Sequence, residues 1–267
     1  MTSQPSQPSQ PSQSSESSPL SPIETVTAID AHGAQVQSMF TDIAHGYDRA
    51  NRWMSLGTDI RWRRRAVAGM LPAGQDPRGA RLLDLCAGTL DSTLEIHRQY
   101  PAADIIAGDF SAGMLAHGAR KLVGEAALRV TPQQMDAHTL PLADRSQDAI
   151  FCAFGVRNLS DLAGATREQH RVLRPGGRLS ILEFFRPTSL ATRAVHALHN
   201  RTLLPLLGWA ATGNLGAYLY LPRSIGRFAT VEAYTDLLRQ SGFVNIEIRR
   251  LTLGIAWVVR ATRAEAA

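Results

Sequence analysis

Apolar positions along the chain follow two different periods. From Val36 to Met70 they recur at helical intervals, with a break near Gly57. Beyond Gly79, short apolar runs alternate with amphipathic stretches of helical period. This alternation is typical of βαβ units, in which helices cover a parallel sheet. We therefore expect a helical N-terminal cap, residues 31–72, followed by an α/β core.

Five apolar runs predict the parallel strands of that core. They are Ala80–Cys86, Asp104–Gly108, Ala127–Gln133, Asp148–Ala153 and Gly177–Leu182. Near the C-terminus a helix is expected over Val231–Gln240, and two more strand-like runs follow, Phe243–Leu251 and Ala256–Ala261. Their connection is short, so these two strands can pair antiparallel. The pattern predicts a doubly wound, mostly parallel Rossmann-like sheet with a C-terminal antiparallel hairpin.

Turn and cap residues indicate where the intervening helices begin and end. Helix starts are expected near Asp91, Ser111, Asp161 and Ser189, and Pro175-Gly176-Gly177 indicates a helix stop followed by a turn. Residues 189–230 interrupt the alternation with a mostly apolar insertion. That insertion contains Trp209, Tyr218 and Tyr220. With this composition, the segment could pack against the sheet, or it could face lipid or substrate.

Composition predicts a disordered N-terminal tail and gives no indication of a nucleic-acid partner. Residues 1–30 are mostly Ser, Gln, Pro and Thr, which predicts a disordered tail before a single domain over 31–267. The chain is 44% hydrophobic and carries a formal net charge of +5, a mild basic excess that does not indicate a nucleic-acid partner. The basic run Arg61–Arg65 is compatible with an exposed helix face or with contact with an anionic membrane.

Cysteine use and hydropathy indicate a compartment. Cys86 and Cys152 lie in apolar runs, so we expect buried, reduced thiols, as in the cytoplasm. The sequence contains no apolar run of about 18 residues and no secretory signal pattern. We expect a cytoplasmic protein, with peripheral contact at the inner face of the membrane left open.

The turn after the first predicted strand is the first candidate ligand site. Leu82 to Thr89 is predicted to form a strand that ends in a turn of small residues, and a helix begins after this turn. At such a turn the backbone can approach a ligand closely. Only Gly88 of the three glycines of a dinucleotide pattern is present in the turn, and no Walker lysine follows. This argues against a pyrophosphate ligand.

Acidic residues follow the next two strands. Asp109 comes about 20 residues after the glycine turn, where a carboxylate can accept both ribose hydroxyls; the alternative is a helix cap. Asp136, beside Met135, could read an adenine amino group or could simply stabilise a turn. Together with Asp84 and Gly88, this spacing suits a nucleoside without phosphate, and S-adenosylmethionine is the obvious one. No metal site is expected.

Longer motifs resemble a known family. They include Val36 to Phe40, Tyr47-Asp48 with Asn51, Phe154 to Asn158, Arg174 to Gly177, and Leu182-Glu183-Phe184. From about Val36 to Arg260 the sequence resembles the ubiquinone/menaquinone biosynthesis C-methyltransferases, a branch of the class I methyltransferases. The resemblance implies that Thr89, Asp109, Asp136 and Ala137 contact the adenosyl cofactor. The full set of residues expected at the cofactor is Asp84, Gly88, Thr89, Asp109, Met114, Asp136, Ala137 and Ala153.

Three positions depart from the family pattern. Leu90 stands where the family has glycine, Asp136 where it has asparagine, and Ala153 where it has serine. A side chain at Leu90 could crowd the methionine portion of the cofactor or could point away from it. The sequence leaves both readings open.

The implied reaction is methylation of a ring carbon in a prenylated quinol. Such a carbon becomes nucleophilic when a neighbouring hydroxyl loses its proton, so the site needs a base or a cation that stabilises the phenolate. Arg157, Asn158 and Tyr47 are the expected catalytic residues, with Arg157 orienting a water or the phenolate oxygen. The alternative is a structural Arg157 that pairs with Asp161 or Glu183.

Other functions remain compatible with the sequence. A methyltransferase of the same fold could act on another phenolic acceptor, and an inactive cofactor-binding scaffold could support a quinone-assembly complex. The sequence does not distinguish a benzoquinol from a naphthoquinol, and a homodimer is compatible with it.

Overall fold

A computed structural model describes residues 48–49, 51–189, 192–193 and 215–265. The strands are β1 Arg81–Leu85, β2 Asp104–Asp109, β3 Val130–Gln134, β4 Gln147–Ala153, β5 Leu173–Glu183, β6 Phe243–Leu251 and β7 Ala256–Arg263. The helices are α1 Thr58–Val67, α2 Asp91–Gln99, α3 Ala112–Ala119, α4 Glu125–Arg129, α5 Leu162–Val172, α6 Leu215–Arg227 and α7 Val231–Gln240. Two 3-10 turns, Val156–Asn158 and Thr252–Gly254, complete the described elements.

The seven strands form one sheet in the order β3-β2-β1-β4-β5-β7-β6. β1 pairs in parallel with β2 and β4, while β7 runs antiparallel to both β5 and β6. This is the predicted doubly wound sheet with a C-terminal hairpin. The order reverses between β1 and β4, and the crevice outside the carboxyl ends of strands at such a point is where α/β sheets bind ligands.

Alternation along the central strands divides the core into two layers. Leu82 of β1 and Phe151 of β4 face one side of the sheet, where they pack with Trp62 of α1. Leu83 and Ile150 face the other side, where α5 and α7 cover them. Helices thus cover both faces of β1 and β4, which explains why these strands are almost continuously buried.

Several element bounds match the sequence prediction. α7 and β6 begin and end at the predicted residues, and α3 begins after Ser111, whose Oγ accepts a hydrogen bond from the backbone N–H of Met114 at 3.2 Å. Asp161 caps α5 in the same way through Gly164. Ser189 Oγ accepts from the N–H of Thr192 at 3.1 Å, as at a helix start.

Two predicted bounds are wrong. Residues 127–129 belong to α4 rather than to the third strand, because the run from Glu125 to Arg129 consists of strong helix formers. β5 begins at Leu173, so Pro175-Gly176-Gly177 lies inside the strand. Gln147 pairs with Leu173 but Ala149 pairs with Arg178, and a bulge with Gly176 at φ +72° absorbs the extra residues.

The described part of the cap is helical. Residues 51–55 and α1 are helices separated at Gly57, whose φ is +73°. The predicted tail, the cap before residue 48 and most of the 189–230 insertion lie outside the described residues. None of the described helices combines the length and apolar character needed to cross a membrane.

Candidate active site

The turn after β1 brings backbone into the crevice. Gly88 has a φ of +55°, and the N–H of Ala87 donates to the carbonyl of Gly108 at 3.0 Å, which ties this turn to the end of β2. Met114 Cε would lie 3.4 Å from a Cβ placed on Gly88, so Met114 packs directly against the turn. Gly88 and Met114 are therefore neighbours in the predicted cofactor region.

Leu90 points away from this crevice. Its side chain is fully buried in the core layer of Trp62 and Leu82. A Cβ placed on Gly118 would lie 2.5 Å from Leu90 Cγ, which shows how closely α3 packs on this side chain. Of the two readings left open by the sequence, the structure supports the one in which Leu90 fills the core beneath the turn.

Asp109 at the end of β2 accepts two backbone hydrogen bonds. Its Oδ2 accepts from the N–H of Gly88 and its Oδ1 from the N–H of Ser111, both at 2.8 Å. Burial raises the pKa of the Asp109 carboxyl, and these backbone donors act in the opposite direction. Each carboxylate oxygen retains a further lone pair, so the group can still accept from two ligand hydroxyls. The helix cap is Ser111, not Asp109.

Asp84 carries an unused acceptor. Its Oδ2 accepts from the hydroxyl of Thr93 at 2.6 Å, while its buried Oδ1 has no hydrogen-bond partner within the described part of the chain. Burial is the main reason that the pKa of Asp84 rises to about 7. A buried acceptor without a partner beside the crevice is compatible with a ligand or water that donates to it.

Asp136 forms a turn after β3. Its Oδ1 accepts from the backbone N–H of His138 at 2.9 Å and lies 2.6 Å from Nδ1 of the same residue. The backbone N–H of Asp161 donates to His138 Nε2 at 3.2 Å, so the ring joins the turn after β3 to the start of α5. Asp136 therefore stabilises this turn, and its predicted contact with the cofactor stays a prediction. Beside it, Met135 and Ala137 are buried, and the N–H of Met135 donates to the carbonyl of Asp109.

A charged network joins the cap to the glycine turn. Asp48 accepts hydrogen bonds from the Thr89 hydroxyl and from Lys121 Nζ. Lys121 Nζ also lies 2.8 Å from Asp91 Oδ1, and Arg52 lies 3.0 Å from Asp91 Oδ2. The sequence predicts Asp91 only as a helix start and does not indicate Lys121, since nothing in their local pattern shows that Lys121 joins Asp91 to Asp48.

An aromatic wall stands at the ends of β4 and β5. The rings of Phe154 and Phe184 stack with centroids 4.5 Å apart, and Trp62 packs edge-on against both. Phe154 has a φ of +58°, and its N–H donates to the carbonyl of Leu182 at 2.8 Å. The half-buried Ala153 precedes it and packs on the same core layer. These rings offer a flat apolar surface beside the crevice.

Arg157 is buried and paired with Glu183. Its Nη1 lies 2.7 Å from Glu183 Oε1 and also donates to the carbonyl of Phe154 at 2.7 Å. Its Nε is buried and has no partner among the described residues. Burial raises the pKa of Glu183, and the Arg157 charge opposes that rise. The sequence allows Asp161 or Glu183 as the carboxylate partner of Arg157, and in the structure the partner is Glu183.

Asn158 lies next to Arg157 and shares its contact with Phe154; we call Arg157, Asn158 and Glu183 the catalytic corner. Asn158 Nδ2 donates to the carbonyl of Phe154 at 3.4 Å, and its Oδ1 accepts from the hydroxyl of Tyr220 in α6 at 3.1 Å. Tyr47, the third predicted catalytic residue, lies outside the described residues. The predicted role of Arg157 and Asn158 in catalysis stays a prediction.

The two halves of the site adjoin each other. A Cβ placed on Gly155 would lie 2.6 Å from Cys86 Sγ, so the turn after β4 packs against the turn after β1. Cys86 and Cys152 are free thiols, and a hydrogen bond between them, together with burial, raises the pKa of Cys86. The described residues contain no cluster of His, Cys, Asp and Glu able to hold a metal ion.

The fold and these acceptors define a class of enzyme. Carboxylates lie near the carboxyl ends of β1 and β2, a turn aspartate follows β3, and buried methionines lie near them, which fits a nucleoside with an apolar surround. The described residues accordingly fit an adenosyl group. With the order β3-β2-β1-β4-β5-β7-β6, they define a class I S-adenosylmethionine-dependent methyltransferase.

Comparison with known proteins identifies the family. The pattern of the ubiE/COQ5 methyltransferase family matches residues 28–263, and the chain belongs to that family. A demethylmenaquinone methyltransferase of Deinococcus radiodurans is 42% identical over 228 residues, which cover 85% of this chain and 92% of the relative. A ubiquinone/menaquinone biosynthesis C-methyltransferase of Geobacter sulfurreducens is 39% identical, with 85% of this chain and 87% of the relative covered.

Solved structures agree on the fold. An S-adenosylmethionine-dependent methyltransferase of Thermotoga maritima superposes with a TM-score of 0.59 at 19% identity and covers 85% of this chain and 99% of its own. A phosphoethanolamine N-methyltransferase of Haemonchus contortus, solved with S-adenosyl-L-methionine, gives a TM-score of 0.55 at 15% identity, covering 75% of this chain and 52% of its own. At these identities the likeness concerns the fold alone.

Proposed function

We propose that this methyltransferase methylates a ring carbon of a prenylated quinol in menaquinone or ubiquinone biosynthesis. The observation that carries the proposal is the family match across residues 28–263, with relatives named for these reactions. The buried Arg157 beside the aromatic wall supports it, since a phenolate that forms next to a flat apolar surface requires a nearby cation.

The cofactor residues are assigned on the same basis. Bound S-adenosylmethionine supplies an electrophilic methyl group. In this proposal Asp109 accepts the ribose hydroxyls, and the turn of Asp136 and Ala137 lines the adenine. Gly88, Thr89, Met114 and Ala153 border the remaining part of the cofactor, and Asp84, whose Oδ1 has no partner among the described residues, lies with them. No covalent intermediate with the protein is needed, because the protein only has to align the acceptor carbon and exclude water.

The acceptor side has two tasks. Arg157 stabilises the quinol oxygen, whose proton passes to a water molecule, and Asn158, with Tyr47 from the cap, orients that oxygen. After methylation the ring carbon releases its own proton, again to water, which restores the aromatic ring. Arginine remains charged at neutral pH, so Arg157 acts as a cation rather than as a base. The Glu183 carboxylate keeps the guanidinium in place and reduces the net charge of the pocket.

Transfer of labelled methyl from S-adenosylmethionine tests this function. The acceptors are a reduced demethylmenaquinone analogue and, in parallel, a polyprenyl methoxy-benzoquinol. We expect methylation of at least one, lost in Arg157→Ala and retained in Arg239→Ala, whose arginine forms an exposed ion pair with Asp236. Cofactor binding without transfer to either acceptor would favour another phenolic substrate or a scaffold role.

Peripheral membrane contact is a further part of the proposal. Arg61, Arg64 and Arg65 are exposed on α1, and the neighbouring Leu56 and Ile60 are exposed apolar side chains. Arginine side chains can bind anionic lipid headgroups, and the neighbouring apolar side chains can insert between the lipids. A prenylated substrate resides in such a membrane. We expect co-sedimentation with anionic but not neutral liposomes, weakened by Arg61→Glu with Arg65→Glu and unaffected by Arg167→Glu with Arg239→Glu. Absence of binding to anionic liposomes would contradict this contact.

A homodimer is proposed from the sheet edge. β6 forms one end of the sheet and exposes Val244 and Ile248, and an exposed apolar edge strand can pair with a second copy. Sedimentation equilibrium should then give twice the 29.0 kDa of the chain. A mass of one chain at micromolar concentration would contradict it.

A further inference from the structure

Tyr220 connects the apolar insertion to the proposed catalytic corner. It lies on α6, and its hydroxyl donates to Asn158 Oδ1 at 3.1 Å. The phenol is half-buried, and burial raises its pKa, so at neutral pH it is a protonated hydrogen-bond donor. Asn158 directly follows Arg157 in the chain, so this hydrogen bond joins α6 to the residues that are proposed to bind the acceptor oxygen.

The hydrogen bond from Tyr220 holds the oxygen end of the Asn158 amide. The carbonyl of Phe154 can only accept, so Nδ2 faces that carbonyl and Oδ1 faces the Tyr220 hydroxyl, which donates to it. The bond to the Phe154 carbonyl is long, at 3.4 Å, and the same carbonyl already accepts from Arg157 at 2.7 Å. Without the shorter bond from Tyr220, only this long bond would hold the amide in place.

The helix that carries Tyr220 is anchored next to Glu183. Ile225 and Phe228 are buried, and the Phe228 ring packs 5.4 Å from that of Phe185. The N–H of Arg186 donates to the carbonyl of Ala229 at 3.1 Å. Because Phe185 and Arg186 follow Glu183 closely in the chain, α6 and the partner of Arg157 rest on one rigid segment.

We propose that Tyr220 is a positioning residue for methyl transfer, which acts through Asn158 by holding its amide in place toward the acceptor. This inference rests on the proposed function, in which Asn158 orients the reacting oxygen. The hydrogen bond of the Tyr220 hydroxyl goes to Asn158, whereas Asp109 accepts from the backbone N–H groups of Gly88 and Ser111. Its loss should consequently affect turnover and leave cofactor binding unchanged.

The kinetic test compares Tyr220→Phe with Tyr100→Phe. Tyr100 is a matched control, because its hydroxyl also donates one hydrogen bond, to the carbonyl of Val67 at 3.0 Å, away from the site. We expect kcat to fall about tenfold in Tyr220→Phe, as for loss of one oriented hydrogen bond, with the KM for S-adenosylmethionine unchanged. Tyr100→Phe should retain the wild-type kcat. Equal kcat values in both variants and the wild type would overturn the proposal.

A spectroscopic test is independent of turnover. The chain contains five asparagines, so labelling with ¹⁵N-asparagine gives five side-chain amide pairs, and Asn158→Asp identifies the pair of Asn158. In Tyr220→Phe this pair should shift or broaden while the other four stay in place. An unchanged Asn158 amide would overturn the positioning role. If the wild type methylates neither quinol, the proposed function fails, and this amide signal alone decides whether Tyr220 orients Asn158.

Discussion

Nη1 of Arg157 lies 2.7 Å from Oε1 of Glu183, and the two side chains are 5% and 0% exposed. The carboxylate also accepts from the backbone N–H groups of Arg157 and Phe184. Such a pair is costly to break, because removal of one partner leaves a buried charge without compensation. It therefore combines a structural role with the proposed catalytic role of Arg157, and a double-variant comparison separates the two.

Glu183→Gln should destabilise the protein by about 3 kcal/mol, since a neutral amide cannot compensate the buried guanidinium. Replacing both partners, Glu183→Leu with Arg157→Met, should recover much of that loss, because no buried charge remains. Urea unfolding measures both effects. The double variant should stay inactive in methyl transfer despite its recovered stability. Activity in that variant would show that the pair is only structural.

Asp109→Asn should weaken binding of S-adenosylhomocysteine about tenfold to hundredfold, measured by isothermal titration calorimetry. One end of the amide would place a donor against the N–H of Gly88 or Ser111, and the negative charge for the ribose hydroxyls is lost. Asp104→Asn, at the exposed start of the same strand, is the matched control and should bind normally. Unchanged affinity in Asp109→Asn would exclude Asp109 as the ribose acceptor.

Asp84 should make the stability of the cofactor-free protein depend on pH. Its pKa rises from 3.8 to about 7 on folding, so between about pH 4 and pH 7 the folded state holds a proton that the unfolded state releases. The free energy of unfolding should thus fall as pH rises through this range, by at most about 4 kcal/mol.

Urea unfolding at pH 4 and at pH 8 checks this dependence. Asp84→Asn keeps the acceptor for Thr93 without the ionisation and should remove most of the decline. The exposed Asp236 provides a control, because Asp236→Asn should leave the decline in place. A decline of equal size in Asp84→Asn would mean that other groups cause it.

Leu90→Ala should destabilise the protein by about 3 kcal/mol, because it opens a cavity in the core, and should leave the affinity for S-adenosylhomocysteine unchanged. Leu90→Gly should cost little more, since glycine accepts the backbone conformation at φ +66° without strain. Urea unfolding and calorimetric titration measure the two quantities. Tighter binding in Leu90→Ala would mean that Leu90 crowds the cofactor after all.

Local sequence patterns determined most of the fold. Periodicity, caps and glycine turns depend on neighbouring residues only, and they predicted α7, the strands β1, β2, β4 and β6, and the helix cap at Ser111. The same patterns indicated Asp84, Asp109 and Asp136 as candidate site residues, because each lies near the carboxyl end of a parallel strand and parallel strands end at one edge of a sheet. The start of β3 and the bulge in β5 were not predicted. An apolar run can belong to a helix or to a strand, and Pro-Gly-Gly can follow a helix or form a bulge within a strand.

Tertiary structure decided which distant side chains meet. The choice of Glu183 over Asp161 as partner of Arg157, the contact of Lys121 with Asp48, and the hydrogen bond from Tyr220 to Asn158 all join residues 26 or more positions apart. The inward direction of Leu90 depends equally on how α3 packs over the turn. Hydrogen bonds and packing of this kind arise only when separate elements are brought together, and for that reason no local pattern carries them.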